Sequence, residues 1–282
     1  MAEEHETCPE EILIDVRQEM KKLIPIAAGA LLSLTAAQLY VLGTKGGIGP
    51  LGFIRDNKIA AHPGNAEKYS FDRIRQIAGS PLAGKEICVL GSSVAYGAAS
   101  QGYAIPEYLA RRFGCSVTKE AVSGTTLSDI SAKSYVSRLK KLDTAGKYDL
   151  FICQLSTNDA TRKRPLGEMG DGDTKTVTGA IEFIVRYVEK TWGCPVLFFT
   201  GSRYDSPAYA AMVARLKELR EKEGIGILDL WTDKAFNEIS ATDRKLFMMD
   251  PIHPTKAGYR GWWGPELERQ LCRYLEKRSI EA

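Results

Sequence analysis

Four short blocks of this chain hold residue types that acyl-transfer chemistry uses. The first, Gly91-Ser92-Ser93-Val94-Ala95-Tyr96-Gly97, sets a serine in a glycine-bordered turn. Where such a turn leads from a strand into a helix, the hydroxyl lies at the sheet edge, near a helix N-terminus that favours negative charge. The same serines would also serve as helix caps. In the second block, Ser123-Gly124-Thr125-Thr126, a glycine lets its N–H approach a substrate oxygen with no side chain in the way; a plain turn glycine is the other reading. The third, Ser156-Thr157-Asn158-Asp159, offers an amide that can be aimed at a developing oxyanion, although Asn-Asp is also a common turn pair. The fourth is Asp250-Pro251-Ile252-His253-Pro254. A serine hydroxyl is a poor nucleophile until a base takes its proton, and the base needs a carboxylate to fix its tautomer and stabilise imidazolium. A proline-flanked turn can hold Asp250 against the ring of His253, or it can simply lead into a helix.

The chain contains three histidines, His5, His62 and His253. His5 lies in a polar N-terminal stretch and His62 in a Gly- and Pro-punctuated one. A Ser–His mechanism run by the region that carries the four blocks therefore has His253 as its base.

That region has a regular pattern. Apolar runs at 86–90, 115–122, 149–155, 195–200 and 225–230 read as strands, and those starting at 86, 149 and 195 are continuously apolar, as in strands covered on both faces. Between them lie helical patterns, with Ile181, Ile184, Val185 and Val188 on one face and Tyr209, Met212, Val213, Leu216 and Leu219 on another. Alternating strands and helices predict a parallel sheet between helical layers, with ligands bound beyond the carboxyl ends of the strands. The first three chemical blocks directly follow predicted strands.

Taken together and in this order, the blocks resemble the SGNH (GDSL-like) hydrolase family over roughly residues 85–279. Gly91-Ser92-Ser93 matches the G-D-S block, Gly124 the glycine block, Asn158 the G-x-N-D block and Asp250/His253 the D-x-x-H block. The resemblance implies a three-layer α/β/α flavodoxin-like fold with a mainly parallel five-stranded sheet. It implies Ser93 as nucleophile, His253 as base and then acid, and Asp250 as its orienting carboxylate. The oxyanion hole would comprise the Ser93 N–H, the Gly124 N–H and the Asn158 side chain. Two positions depart from the family pattern: Ser92 stands where Asp is usual and Ser156 where Gly is usual. The serine is not centred in G-x-S-x-G, so the nucleophile elbow of the α/β-hydrolases is the poorer match.

Ahead of this domain the sequence predicts a polar tail (1–22), an uncharged apolar segment (23–43) and a linker (44–84), within which Phe71–Ile77 reads as a short helix. The apolar segment is long enough to cross a bilayer as a helix. Arg17, Lys21 and Lys22 before it favour an inside N-terminus and an external catalytic domain; a cleaved signal segment and a buried helix are the other readings. The first two place the domain outside the cell, at the membrane or secreted, which is the expectation. The composition is 44% hydrophobic and 26% charged with a net charge of +3, an even balance that gives no electrostatic reason to expect nucleic acid as a partner. Of six cysteines, Cys88, Cys115, Cys153 and Cys194 fall in short apolar runs and none shows metal-ligand spacing, so they read as buried thiols or an inter-strand disulfide, with no metal and no cofactor expected.

The expected activity is cleavage of carboxylic esters, with a small or glycan ester as substrate and a short acyl group favoured. Tyr96, Tyr103, Trp231, Trp262 and Trp263 are candidates for a sugar-stacking face or for the core. The loop 162–176 is expected to border the pocket. Alternatives are an O-acyltransferase using the same residues, a mononucleotide-binding flavodoxin-like module and a non-catalytic surface binding protein.

Overall fold

The computed structural model describes residues 52–281 and the single residue Gln38. The expected tail, the expected apolar segment apart from Gln38, and the first part of the expected linker lie outside the described residues. Among those described, no helix is long and apolar enough to cross a membrane. The chain divides into two units, Met1–Lys58 and Ile59–Ala282; the first described helix, α1, is Gly52–Ala60.

The second unit holds five strands: β1 (Glu86–Gly91), β2 (Ser116–Ala121), β3 (Leu150–Gln154), β4 (Val196–Phe199) and β5 (Gly226–Leu228). All neighbouring pairs are parallel and the spatial order is β2-β1-β3-β4-β5. That is the flavodoxin-like doubly wound order, whose switch point lies between β1 and β3. Parallel neighbours require crossover connections, and the helices supply them: α2 (Ser93–Tyr96), α3 (Ile105–Phe113), α4 (Tyr135–Leu139), α5 (Thr157–Thr161), α6 (Val177–Trp192) and α7 (Pro207–Glu223). Three short helices follow β5, namely α8 (Lys234–Asn237), α9 (Ala241–Phe247) and α10 (Lys256–Gly258). A π-turn over Tyr259–Trp263 leads into the closing helix α11 (Gly264–Glu281).

The period of two along each strand divides the core into two sheets of side chains. Cys88, Leu90, Phe151, Cys153, Val196 and Phe198 face α4, α6 and α7, where Val136, Ile181, Ile184, Val188, Leu216 and Leu219 are fully buried. Ile87, Val89, Leu150, Ile152, Leu197 and Phe199 face the other way, against Tyr108 and Leu109 of α3 and Leu267 and Leu271 of α11. With both faces covered, β1, β3 and β4 have almost no polar side to show, which is why their sequences are near-continuously apolar, whereas the half-buried edge strand β2 carries Lys119 and Glu120. The five described cysteines are free, and four of them are buried.

One expectation is corrected here, and one open alternative is resolved in favour of the core. The segment 71–77 forms only one 3₁₀ turn, Phe71–Arg73, and then extends. Its Ile77 N–H is used by the Arg112 carbonyl at the end of α3, and a backbone group bonded to a neighbouring element cannot also close a helical turn. Trp231, Trp262 and Trp263 are buried in the core, with Trp262 stacked 4.7 Å from Phe236 and its indole N–H donated to the Phe236 carbonyl. They are not a stacking face for sugar.

Residues 59–84 are built into the second unit. Phe71 and Leu82 lie in its core. The buried Asn65 donates from Nδ2 to the carbonyls of Ile59 and Ala99 and accepts the Lys256 N–H on Oδ1 at 2.9 Å.

Candidate active site

The carboxyl edge of the sheet gathers all four chemical blocks. Gly91 ends β1 and Ser93 opens α2 after it. The turn is tight: a Cβ on Gly91 would lie 2.3 Å from Ala95 Cβ and 2.9 Å from Gln154 Oε1, so a side chain there would displace the turn. Gly97, at φ +82°, stops α2 after one turn by donating its N–H to the Ser93 carbonyl. The Tyr259 hydroxyl donates to the Val94 carbonyl at 2.6 Å. Ser93 is thereby held in a strand-to-helix turn with its side chain 8% exposed.

His253 meets it from the far end of the sequence. Its Nε2 lies 2.8 Å from Ser93 Oγ. The other ring nitrogen, Nδ1, lies 2.8 and 3.0 Å from the two Asp250 oxygens. Asp250 Oδ1 also accepts the N–H groups of Ile252 and His253, at 2.8 and 2.9 Å. The proline-flanked turn thus folds back on its own carboxylate. It is closed by a bond from Met249 N–H to the His253 carbonyl and by a bridge between Met248 and Pro254. Desolvation is the largest single influence on the Asp250 carboxyl and pushes its pKa up. The His253 ring and the two backbone N–H groups together outweigh it and hold the pKa below the ordinary carboxylate value. The carboxylate form is therefore the favoured partner of the imidazole.

The remaining two blocks sit side by side. Gly124 has φ +78°, a conformation that glycine adopts without strain. The Asn158 Nδ2 donates to the Thr125 carbonyl at 2.9 Å, which uses one of its two hydrogens and leaves the other for a ligand. Among the described residues no protein group accepts the Ser93 or the Gly124 N–H. Asp159, fully buried, locks the third block to the second: its carboxylate accepts the Leu127 N–H at 2.7 Å, the Ser128 N–H at 3.2 Å and the Ser128 hydroxyl at 2.5 Å. Ser156, at the position where the family pattern has Gly, caps α5 by accepting the Asp159 N–H. The loop that follows does touch the site, since Arg162 donates to the Gly124 carbonyl at 2.8 Å. Of the candidate aromatics, Tyr96 is exposed (47%) three residues after Ser93, while Tyr103 packs on Phe71.

Several residues that build this edge were not singled out from the sequence. Gln154, at the end of β3, binds the turn of Ser93. Arg138 is 93% buried and fans out to the Gly91 carbonyl, the Glu120 carbonyl and carboxylate, and Thr125 Oγ1, joining the ends of β1 and β2 to the Gly124 loop. Asn65 links the loop after Ser93 to the residues after His253. Gln154 was detectable as the polar residue in the apolar run Asp149–Leu155, and Asp159 as the neighbour of Asn158. Nothing local marks Arg138 or Asn65. Among the described residues, no group of three or more His, Cys, Asp or Glu side chains is arranged to hold a metal ion.

A doubly wound parallel sheet with a serine, an imidazole and a carboxylate in relay at its carboxyl edge is the architecture of a hydrolase-type α/β protein. The chain belongs to the GDSL-like lipase/acylhydrolase family, whose profile matches residues 89–260. No curated protein matches it significantly. Solved structures that share its fold include a Lactobacillus plantarum protein at 20% identity and TM-score 0.58, covering 69% of this chain and 98% of that one. A candidate lipolytic protein of the G-D-S-L family from Desulfitobacterium hafniense matches at 17% identity and TM-score 0.53, over 66% and 99%. An acetyl xylan esterase matches at 14% identity and TM-score 0.51, over 65% and 98%.

Proposed function

We propose that this protein hydrolyses carboxylic esters through an acyl-enzyme intermediate on Ser93. The observation that carries the reading is the relay itself, Ser93 Oγ to His253 Nε2 at 2.8 Å and His253 Nδ1 to Asp250 at 2.8 Å. In the first half-reaction Ser93 Oγ attacks the ester carbonyl and its proton passes to His253 Nε2. The imidazolium is stabilised by Asp250, whose lowered pKa keeps it ionised. The carbonyl oxygen becomes an oxyanion held by the N–H groups of Ser93 and Gly124 and the free N–H of Asn158. The tetrahedral intermediate then collapses: the bond to the alcohol breaks, and His253 returns its proton to the departing oxygen. Water attacks the acyl-Ser93 carbonyl with His253 again as base, and the carboxylic acid leaves as Ser93 regains its proton.

The substrate we favour is a short acyl group on a carbohydrate. Two observations support it: Tyr96, three residues after Ser93, has an exposed ring with the Lys119 ammonium 5.1 Å from its centroid, and an acetyl xylan esterase is among the proteins with this fold. Hydrolysis of p-nitrophenyl acetate through octanoate by the wild-type chain and Ser93→Ala tests both parts. The expected result is turnover that falls with acyl length and collapses in the variant. Equal turnover by Ser93→Ala would overturn the mechanism, and a preference for octanoate would overturn the short-acyl assignment.

A further inference from the structure

The helix that carries Ser93 has no cap of its own. Its N-cap residue is Ser92, the type best suited to bond the free N–H groups of the first turn, yet the Ser92 side chain caps nothing. It points inward, fully buried, and accepts from Gln154 Nε2 at 3.2 Å. The cap comes instead from the neighbouring strand. Gln154 Oε1 accepts the Ser92 N–H and the Ala95 N–H, both at 2.9 Å. Gln154 ends β3 and is only 2% exposed, so it has no route to a substrate. An apolar residue would fill the same place between the two layers, and burying an amide is unfavourable unless its bonds are used. Here they are all directed at one turn.

The consequence is a sorting of the N–H groups around the nucleophile. The N–H groups of Ser92 and Ala95 are committed to Gln154, while among the described residues those of Ser93 and Val94 have no protein acceptor. We propose that Gln154 is a positioning residue for acyl transfer, capping the nucleophile helix from β3 so that the Ser93 N–H faces the developing oxyanion and Oγ stays in line with His253. This rests on Ser93 being the nucleophile. Gln154 touches neither the substrate nor the reacting atoms; it acts through the turn. Because the oxyanion forms only as the bond to Oγ forms, a loosened turn weakens the transition state more than the bound ester.

The test uses the full chain with Gln154→Met, which is close in size and has no amide. Gln270→Met serves as the matched control: Gln270 binds the Asp229 backbone through Oε1 at 2.6 Å and Nε2 at 3.2 Å, beyond the end of β5. For Gln154→Met, kcat on p-nitrophenyl acetate should fall roughly 10²-fold, the usual consequence of misplacing a reacting group by about 1 Å, with KM little changed. Inhibition by a methyl trifluoromethyl ketone, which adds to the serine as a tetrahedral adduct, should weaken in parallel with kcat/KM. Gln270→Met should stay near wild type in both. A folded Gln154→Met with wild-type kcat, or a loss carried by KM alone, would overturn the inference. Should that variant fail to fold, amide hydrogen exchange of the wild-type chain decides: Ser92 and Ala95 slow with Ser93 fast supports it, and Ser93 as slow as Ser92 and Ala95 overturns it. A wild-type chain whose Ser93 is not labelled by a fluorophosphonate would instead strike the esterase reading, and this inference with it.

Discussion

Replacing Asp250 by asparagine should damage the enzyme more than replacing it by alanine, and the reason lies in which oxygen is already occupied. Oδ1 accepts two backbone N–H groups, from Ile252 and His253, and lies 3.0 Å from His253 Nδ1, while Oδ2 is the nearer to Nδ1, at 2.8 Å, and has no other partner among the described residues. An asparagine that keeps the backbone bonds must put its carbonyl in the Oδ1 place and its NH₂ toward the ring. Nδ1 then accepts a hydrogen bond, its proton moves to Nε2, and Nε2 can no longer take the proton of Ser93. Turning the amide around would leave two backbone N–H groups against an N–H donor, at about 1–3 kcal/mol each. Asp250 is 46% exposed, so water softens this and the lower figure applies, giving about 2 kcal/mol for the pair. At ~1.4 kcal/mol per decade the unproductive amide then predominates by about 30-fold. We expect kcat to fall at least about 30-fold, and toward ~10⁴-fold if the tautomer is fully enforced. Alanine, with water at Nδ1, leaves both tautomers accessible and should fall less. The assay is kcat on p-nitrophenyl acetate for the two variants, with thermal melts to establish folding. Asp250→Asn equal to or faster than Asp250→Ala would refute the argument from amide orientation.

Other expectations follow from the same geometry. Asn158→Ala removes a side-chain donor for the oxyanion and should lower kcat by ~10²–10³-fold with KM little changed; steady-state kinetics on p-nitrophenyl acetate check it, and a KM effect alone would remove Asn158 from the oxyanion hole. The carboxyls of Asp129, Asp229 and Asp250 are each pushed up by desolvation but held below their ordinary pKa by the hydrogen bonds and charges around them. Folded pKa values below the unfolded ones, about 3.9 for Asp, mean that the native state binds fewer protons than the unfolded chain. Their stabilisation is therefore fully present above about pH 4 and lost as pH falls through the native values; urea midpoints at pH 6 and pH 3 measure it, and an unchanged midpoint would contradict the shifts.

The sheet was legible because the runs starting at 86, 149 and 195 are continuously apolar and α6 and α7 each carry an apolar stripe, so the five strands and the buried faces of α6 and α7 fall where the sequence pattern puts them. The proposed reacting groups were legible because their blocks are short and local: three of them directly follow strands, and in the fourth His253 and Asp250 are three residues apart and meet within one turn. The supports were not. Arg138 joins Gly91, Glu120 and Thr125 across the chain, and Asn65 reaches Ala99 and Lys256; such side chains acquire their role only from tertiary proximity. The tryptophans left two readings open for a related reason: an aromatic residue has the same appearance in sequence whether it lines a groove or fills a core, and the burial of Trp231, Trp262 and Trp263 settles the core reading.

The position of Asn65 bears on what the minimal folding unit is. The family profile begins at residue 89, yet the stretch ahead of it supplies Phe71 and Leu82 to the core and, through Asn65, fastens the loop after Ser93 to the residues after His253. Serine and imidazole enter from opposite ends of the chain, and a segment outside the signature clips those ends together. The profile thus leaves out some thirty residues of the unit Ile59–Ala282 whose side chains hold those two loops together.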